Sequence, residues 1–269
     1  MALFIVPTPI GNLGDITQRA VDVLRKADFI IAEDSRYSRK LLNHLGIQKR
    51  IISHFKPQEY LQADRIIPLL KHQDAALITD SGTPALSDPG HILINRAIAE
   101  GIQVISLPGP SALLTALVGS GLSSDRFLFM GFPPRRPGPL REWLAGLAAV
   151  PWTMVFYESP RRLKDFLHQC RSVFGTRPFA IAKELTKKNE KIIRGQLADL
   201  DSILDGEILL GEMTVVVAGL PAVPAGDKEK ESAPTLNSLD DLYAFMRDRH
   251  RISKNQLKRI LQKKGPKRG

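Results

Sequence analysis

In the first half of the chain, short apolar runs alternate with stretches whose apolar residues recur at helical spacing. The apolar runs predict strands at residues 2–6, 29–32, 51–52, 75–79 and 103–107. The periodic stretches predict helices beginning near Asp15 or Thr17 and at residues 37–45, 59–71 and 92–100. Strands that alternate with helices are typical of a mainly parallel sheet with helices on both faces.

In the second half, strands follow one another with fewer helices between them. Strands are predicted at residues 127–130, 153–157, 179–182, 191–194 and 213–218, and helices at 140–148, 162–174 and 197–204. This spacing favours a mixed or antiparallel sheet in a second α/β domain. With a boundary near residues 111–122, we predict an N-terminal domain at 1–112 and a second domain at 113–220.

The end of the chain has a different composition. Residues 221–235 are rich in proline, alanine and charge, which is typical of a linker. Residues 236–269 contain two short amphipathic stretches, capped by Ser238 and Ser253, with basic flanks. They resemble a small helix-turn-helix module, and a simple helical hairpin packed on the body is the alternative.

Charge is concentrated in this last segment. The whole chain of 269 residues carries a net charge of +10, and residues 247–269 alone carry +9. Such a block usually contacts a polyanion, and nucleic acid is the favoured one; a solvated basic tail is the alternative.

Cysteine and histidine usage limits the other kinds of site. Cys170 is the only cysteine, which excludes an intrachain disulfide, and the six histidines show no metal-ligand spacing. We therefore expect no metal. The N-terminus lacks a basic region before Pro7, and no apolar run approaches the ~20 residues that span a bilayer. We expect a cytoplasmic protein with no membrane partner.

Polar clusters follow the strands that end at Val6, Ala32, Thr79 and Leu107. The carboxyl ends of parallel strands share one edge of a sheet, where ligands bind. The loop at residues 7–14 has two prolines and fits neither the dinucleotide pattern nor the lysine-containing P-loop, which disfavours phosphate and leaves a tight turn as the alternative. The loop that begins at Asp80 favours a cationic or hydroxylated ligand, or else serves only as a capping loop.

Eight motifs, in order along residues 1–220, carry a resemblance to a known family. They are PTPIGNLGD after Val6, AEDSR at 32–36, the stretch 77–90, LPGPSA at 107–112, GFPP at 131–134, FYESPRR at 156–162, KELTK at 183–187 and GE at 211–212. Together they resemble the tetrapyrrole methylase family, and within it the group that methylates small-subunit ribosomal RNA. The resemblance implies two α/β domains with S-adenosylmethionine in the cleft between them, in a homodimer. It also implies methylation of a cytidine ribose 2′-hydroxyl in the decoding region of 16S rRNA.

The resemblance also implies a set of cofactor-binding residues. They are Pro9, Ile10, Asp80, Ser81, Gly82, Thr83, Leu86, Ser111, Ala112, Tyr157 and Leu185. Because S-adenosylmethionine carries no phosphate, a loop containing Pro7 and Pro9 loses nothing by lacking two N–H donors.

The expected reaction is an in-line attack of a hydroxyl on a sulfonium methyl group, where alignment and a general base both help. Candidate bases are Asp34, Glu158 and Glu184, each beside a basic residue; paired structural ions are the alternative. Candidate RNA contacts are Arg36, Arg135, Arg136, Arg161, Arg162, Lys183 and Lys187, with Lys254, Lys258 and Arg259 in the terminal module. For Phe132 and Tyr157, core packing is favoured over base stacking.

The residues also bear on the target atom. Cys170 falls inside a predicted helix, away from the polar loops, and no Asp/Asn-Pro-Pro-aromatic loop is present, which supports a ribose hydroxyl over a base atom. Two alternatives remain: a methyltransferase of this fold that acts on a tetrapyrrole or another small substrate, and a non-catalytic ribosome assembly factor.

Overall fold

The computed structural model describes residues 1–55 and 58–221, in two compact units. The first unit comprises Met1–Thr115 and Glu184–Glu190, and the second comprises Ala116–Lys183 and the described chain from Lys191 onwards. The segment Glu184–Glu190 is thus grouped with the first unit, although the sequence analysis assigned all of 113–220 to the second domain. The predicted module at 236–269, its residues Lys254, Lys258 and Arg259, and the predicted linker beyond Pro221 lie outside the described residues.

The first unit contains a five-stranded sheet. Its strands are β1 (Ala2–Ile5), β2 (Phe29–Ala32), β3 (Arg50–Ser53), β4 (Ala75–Ile78) and β5 (Gln103–Ser106). Their order is β3-β2-β4-β1-β5, and every neighbouring pair is parallel. The central strands β2 and β4 are fully buried, as expected when helices cover both faces. The predicted parallel sheet is confirmed.

Helices pack on both faces of this sheet. Helices α1 (Gln18–Lys26) and α2 (Ser35–His44) share one core cluster with the strands, and α3 (Glu59–Leu70) and α4 (His91–Ala99) share the other. Thr17 caps α1 by accepting from the Ala20 N–H at 3.1 Å, as its sequence position predicts.

A fifth helix, α5 (Ala112–Ser120), was not predicted from the pattern. Its sequence, ALLTALVGS, is apolar almost throughout and shows no amphipathic periodicity. For this reason the stretch was predicted to be part of a domain boundary.

The second unit contains a mixed sheet, as predicted. Its strands are β6 (Phe127–Gly131), β7 (Thr153–Glu158), β8 (Pro178–Lys183), β9 (Lys191–Gln196) and β10 (Met213–Val217), in the order β6-β7-β10-β8-β9. Only β6 and β7 run parallel. Helices α6 (Pro137–Leu147), α7 (Pro160–Phe174) and α8 (Leu200–Leu204) share one apolar cluster with the strands.

Two absences apply to the described part of the chain, residues 1–55 and 58–221. None of its helices is long and apolar enough to cross a membrane. Within the same residues, no group of three or more His, Cys, Asp or Glu side chains is arranged to hold a metal ion.

Candidate active site

Three loops meet at the carboxyl edge of the first sheet, beginning with those after β1 and β4. The Thr8 N–H donates to the Gly82 carbonyl at 2.9 Å, and the Gly82 N–H donates back to the Thr8 carbonyl at 3.0 Å. The Thr8 hydroxyl, fully buried, donates to the Thr79 carbonyl at 3.1 Å. These bonds fix the Pro7–Thr8–Pro9 turn against the loop that begins at Asp80.

The loop after β5 packs against both of these loops. The Thr83 hydroxyl donates to the Pro110 carbonyl at 3.1 Å. A Cβ added at Gly109 would lie 2.6 Å from the Cβ of Pro7, so only glycine allows this approach. Gly82, at a φ of 83°, would bring a Cβ to 3.4 Å from Ile10. The three loops therefore form one packed group.

The segment Glu184–Glu190 completes this group from a distant part of the sequence. Leu185 is buried, and its carbonyl would lie 3.0 Å from a Cβ added at Gly11. Glu184 and Thr186 have φ values of 49° and 65°, in the left-handed region that favours glycine. The Lys187 N–H donates to the Glu184 carbonyl at 3.0 Å, which closes the segment into a turn.

Two buried hydroxyl groups in this group have no hydrogen-bond partner. Ser111 is 9% exposed, and its Oγ is unpaired, whereas its carbonyl accepts from the Thr115 N–H and hydroxyl. The Oγ1 of Thr186, which faces Gly11, is unpaired as well. Buried hydroxyls are normally satisfied. A small ligand with polar atoms fits this set of loops, because it would supply the missing partners.

Carboxylates line the same edge of the sheet. The Asp80 Oδ1 accepts from the Asp34 N–H at 3.2 Å, and the Thr79 hydroxyl lies 2.9 Å from Glu33 and 3.0 Å from Asp88. Burial raises the pKa of Asp80, and the negative charges of Glu33 and Asp34 raise it further, against the hydrogen bond from Asp34. This concentration of negative charge favours a cationic ligand.

The three candidate bases lie in different surroundings, and Asp34 is the most acidic. Its carboxylate accepts from the side chain and the backbone N–H of Arg36, and these bonds lower the pKa of Asp34 to about 2. It also caps α2, which explains why the helix begins at Ser35, two residues before the predicted start. A carboxylate with so low a pKa is a weak base.

Glu158 is the most buried of the three, at 3% exposed. Its Oε1 accepts from the Ser159 N–H at 2.7 Å, and its Oε2 lies 3.1 Å from the Arg162 guanidinium. Burial raises the pKa of Glu158, and the Ser159 bonds and the charges of Arg162 and Arg135 oppose that shift. Arg162 also donates to the Pro134 carbonyl at 2.8 Å. Glu158 therefore takes part in holding the turn after β6.

Glu184 lies on the segment that packs against the loop after β1. Its carboxylate forms an ion pair with Lys187 at 2.9 Å, with both side chains half-buried. Like Asp34, whose N–H donates to Asp80, it lies beside the group of loops around Thr8 and Gly82.

A model of the Tetrapyrrole (Corrin/Porphyrin) Methylases matches residues 2–201, which cover both sheets except β10. The chain belongs to the tetrapyrrole methylase family. Among its relatives is a protein of Micromonospora olivasterospora named ribosomal RNA small subunit methyltransferase I, 40% identical over 87% of this chain and 75% of that protein. Proteins of the same name from Xylella fastidiosa and a Hydrogenobaculum strain are 43% and 42% identical over 81% of this chain, covering 81% and 96% of their own lengths.

Two solved structures share the fold at low sequence identity. A diphthine synthase superposes with a TM-score of 0.61 at 17% identity, over 81% of this chain and 90% of its own. A uroporphyrin-III-C-methyltransferase from Thermus thermophilus gives a TM-score of 0.56 at 17% identity, over 81% and 94%. These likenesses show the tetrapyrrole methylase fold, as predicted, and no more.

Most of the residues predicted to bind the cofactor belong to the first unit. Ile10, Gly82, Thr83, Ser111 and Leu185 lie in the packed loops described above. Pro9, Asp80, Ser81, Leu86 and Ala112 are half-exposed in the same loops or, for Ala112, at the start of α5. Tyr157 is half-buried on β7 of the second unit. Their role in binding remains a prediction for this family member.

The predicted RNA contacts differ in how free their charges are. Arg36 is paired with Asp34, Arg162 with Glu158 and Lys187 with Glu184, and Lys183 donates to the Ile208 carbonyl. Arg135, Arg136 and Arg161 are exposed. Their contacts with RNA likewise remain predictions.

Several residues that build the site were not predicted from the sequence. Thr8, Thr79 and Thr186 place hydroxyls in the loops, and Glu33 and Asp88 share the Thr79 hydroxyl. The position of Thr8 between two prolines was a signal that its hydroxyl must find a hydrogen-bond partner in a neighbouring loop. The left-handed turn at Glu184 and Thr186 had no sequence signal, because neither residue is a glycine or an asparagine.

Proposed function

We propose that this chain is an S-adenosylmethionine-dependent methyltransferase that acts on the 2′-hydroxyl of a cytidine ribose in small-subunit (16S) ribosomal RNA. The observation that carries the proposal is the 40–43% identity, over more than four fifths of the chain, to proteins named ribosomal RNA small subunit methyltransferase I. The 2′-hydroxyl and the decoding region come from the resemblance of motifs 32–36 and 156–162.

The cofactor would be held by the loops of the first unit. When bound, S-adenosylmethionine supplies a methyl group on a positively charged sulfur. The Ser111 hydroxyl, buried and unpaired, offers one hydrogen bond, and the Asp80 carboxylate offers negative charge to a cationic ligand. Gly82 and Ile10 provide a close backbone approach and apolar contact. The other proposed contacts are Pro9, Ser81, Thr83, Leu86, Ala112, Tyr157 and Leu185.

Glu184 is the proposed general base for the ribose hydroxyl. Asp34 holds its proton too weakly, since its pKa is about 2, and Glu158 is engaged with Ser159 and Arg162. Glu184 is half-buried on the segment beside Gly11 and forms an ion pair with Lys187. A positioned base contributes about 10²–10⁴-fold to a proton transfer.

The RNA would be held by basic side chains. The exposed Arg135, Arg136 and Arg161 are suited to phosphate contacts, and the basic segment 236–269, with Lys254, Lys258 and Arg259, would add to them. We further propose that the protein works in the cytoplasm as a homodimer on the small ribosomal subunit.

The experiment uses small subunits from cells that lack this protein. They are incubated with the enzyme and labelled cofactor, and the RNA is digested to nucleosides and then stripped of its bases. Label that stays with the ribose supports the proposal, and label that leaves with the base contradicts it. Ser111→Ala should weaken the calorimetric affinity for S-adenosylmethionine, whereas Gly138→Ala, whose added Cβ meets nothing within 4 Å, is the matched control.

The same assay tests the two alternatives. Methylation of a tetrapyrrole with no methylation of small subunits would indicate the small-substrate enzyme. Binding to small subunits with no measurable cofactor affinity would indicate an assembly factor.

A further inference from the structure

An aromatic ring is displayed on the surface of the second unit, just after β6. Phe132 is 63% exposed, although sequence analysis favoured core packing for it. Its ring centroid lies 5.6 Å from that of Tyr157, and Tyr157 in turn lies 4.9 Å from Phe129 in an edge contact. Phe132 therefore rests on an aromatic base on one side and is open to solvent on the other.

The turn that carries Phe132 is held rigidly. Pro133 and Pro134 follow it and restrict the backbone. The Arg162 guanidinium donates to the Pro134 carbonyl at 2.8 Å and approaches the Pro133 carbonyl at 3.4 Å. Arg162 is in turn held by the buried carboxylate of Glu158 at 3.1 Å. An exposed phenyl ring on a turn fixed by an ion pair with a buried carboxylate is preorganised for contact.

The surroundings of the ring are basic. Arg135 and Arg136 follow the two prolines, and Arg161 lies in the first turn of α7; all three are exposed. Arg135 is close enough to lower the pKa of Glu158. Residues 127–141 contain no Asp or Glu. An aromatic face among positive charges is the arrangement that binds single-stranded nucleic acid, by base stacking and phosphate contact.

We propose that Phe132 is a stacking platform for an unpaired base of the RNA substrate, with Arg135, Arg136 and Arg161 on the adjoining phosphates. Glu158 and Arg162 are positioning residues, which act by holding the turn. This inference rests on the proposed function, since it names how the RNA is held. It also gives Glu158 a role that needs no proton transfer.

The test measures binding of the full chain to a fluorescein-labelled single-stranded oligoribonucleotide of mixed sequence. Phe132→Ala should weaken binding about 5- to 150-fold, the range for loss of one stacked base. Phe132→Trp should restore or tighten binding, and Phe132→Leu should remain weak, because leucine is apolar but has no ring to stack. Leu210→Ala, at a residue 65% exposed in the same unit, is the matched control and should bind as the unchanged protein does.

Salt dependence separates the platform from the charges. The double variant Arg135→Ala/Arg136→Ala should reduce the slope of log affinity against log salt by about 0.7 for each phosphate that is no longer neutralised, and Phe132→Ala should leave the slope unchanged. Equal binding by Phe132→Leu and the unchanged chain would overturn the proposal, because RNA binding would then need only an apolar side chain and not a ring. Unchanged binding by Phe132→Ala would overturn it outright.

A double-mutant cycle tests the positioning pair. Glu158→Gln should weaken RNA binding in the unchanged chain but have little further effect in the Phe132→Ala background, because its effect passes through the ring. Additive losses would contradict that role. Methyl transfer is measured separately. If Phe132→Trp binds RNA well and Phe132→Leu and Phe132→Ala bind it weakly, but neither the unchanged chain nor any variant methylates ribose, the stacking proposal holds and the proposed function fails.

Discussion

The packing of Gly109 against Pro7 gives a quantitative test of the loop group. In Gly109→Ala, the new methyl carbon would lie 2.6 Å from the Cβ and 3.0 Å from the Cγ of Pro7. Favourable carbon contacts begin at about 3.5 Å, so the methyl is about 1 Å too close. The φ of Gly109 lies outside the left-handed region, so the expected effect is steric and not conformational.

Pro7 has little freedom to move away. The Val6 N–H donates to the Leu77 carbonyl at 2.9 Å, and the Thr8 N–H donates to the Gly82 carbonyl at 2.9 Å, so both neighbours of Pro7 are fixed. Overpacking of this kind costs about 1–3 kcal/mol. The lower chain entropy of alanine in the unfolded state offsets about 0.4–1 kcal/mol. The net loss should be about 1–2 kcal/mol.

The measurements are urea denaturation followed by circular dichroism, and titration calorimetry with S-adenosylmethionine. If the loop moves to relieve the clash, cofactor binding must restore the original loop shape. That restoration costs up to the same energy, about 1–2 kcal/mol, so the affinity for S-adenosylmethionine should fall by up to about 5- to 30-fold. Gly138→Ala, in α6 with open space around the added Cβ, should instead gain about 0.5–1 kcal/mol. If Gly109→Ala matches Gly138→Ala in both measurements, the loops do not depend on this contact.

Three further predictions concern buried or crowded charges. Asp80→Asn should unfold at an equal or higher temperature at pH 7 but bind cofactor more weakly. Because the pKa of Asp80 is raised in the folded protein, the ionised carboxylate disfavours folding, and the stability that the protonated carboxyl contributes is lost as pH rises. Burial lowers the pKa of His54, against the opposing charge of Glu59, so the fold should lose stability as pH falls below about 6.5. In urea titrations at several pH values, His54→Gln should reduce this dependence of the free energy of unfolding on pH. Arg177 is 5% exposed, and its Nε and one terminal nitrogen are unpaired, so Arg177→Met should be at least as stable in the same titrations; a loss above about 1 kcal/mol would contradict this reasoning.

The fold was largely predictable because its strands are bounded by strong local signals. The run Phe29–Ala32 is apolar throughout and the structure forms β2 over the same residues. Helix α5 escaped prediction because its exposed face is apolar as well: Leu114 is 51% and Val118 75% exposed, so Ala112–Ser120 lacks the amphipathic pattern on which such predictions rest. Local pattern was sufficient where an element is a short apolar run between turn residues, as β2 is, or where one of its faces is apolar and the other polar.

The site was predictable in its loops but not in its contacts. The loops at residues 7–14 and 80–90 stood out by their turn residues, whereas the approach of Leu185 to Gly11 joins residues far apart in sequence. Secondary-structure propensities are local and do not predict contacts of this kind. Likewise, the partners of Arg162 and the exposure of Phe132 depend on how a turn after β6 meets the start of α7, which is a tertiary outcome.

The assignment of Glu184–Glu190 to the first unit has a consequence for how the chain can be divided. The segment joins β8 to β9, two neighbouring strands of the second sheet, yet Leu185 and Thr186 pack beside Gly11. A cut at any single point in the sequence therefore leaves one piece without part of its own interior. A fragment ending at Thr115 would expose the surface beside Gly11, and a single crossover near Thr115 would separate residues 184–190 from the loops that they contact. Inheritance should keep the two units together, and chimeras should succeed only when residues 184–190 travel with the N-terminal half.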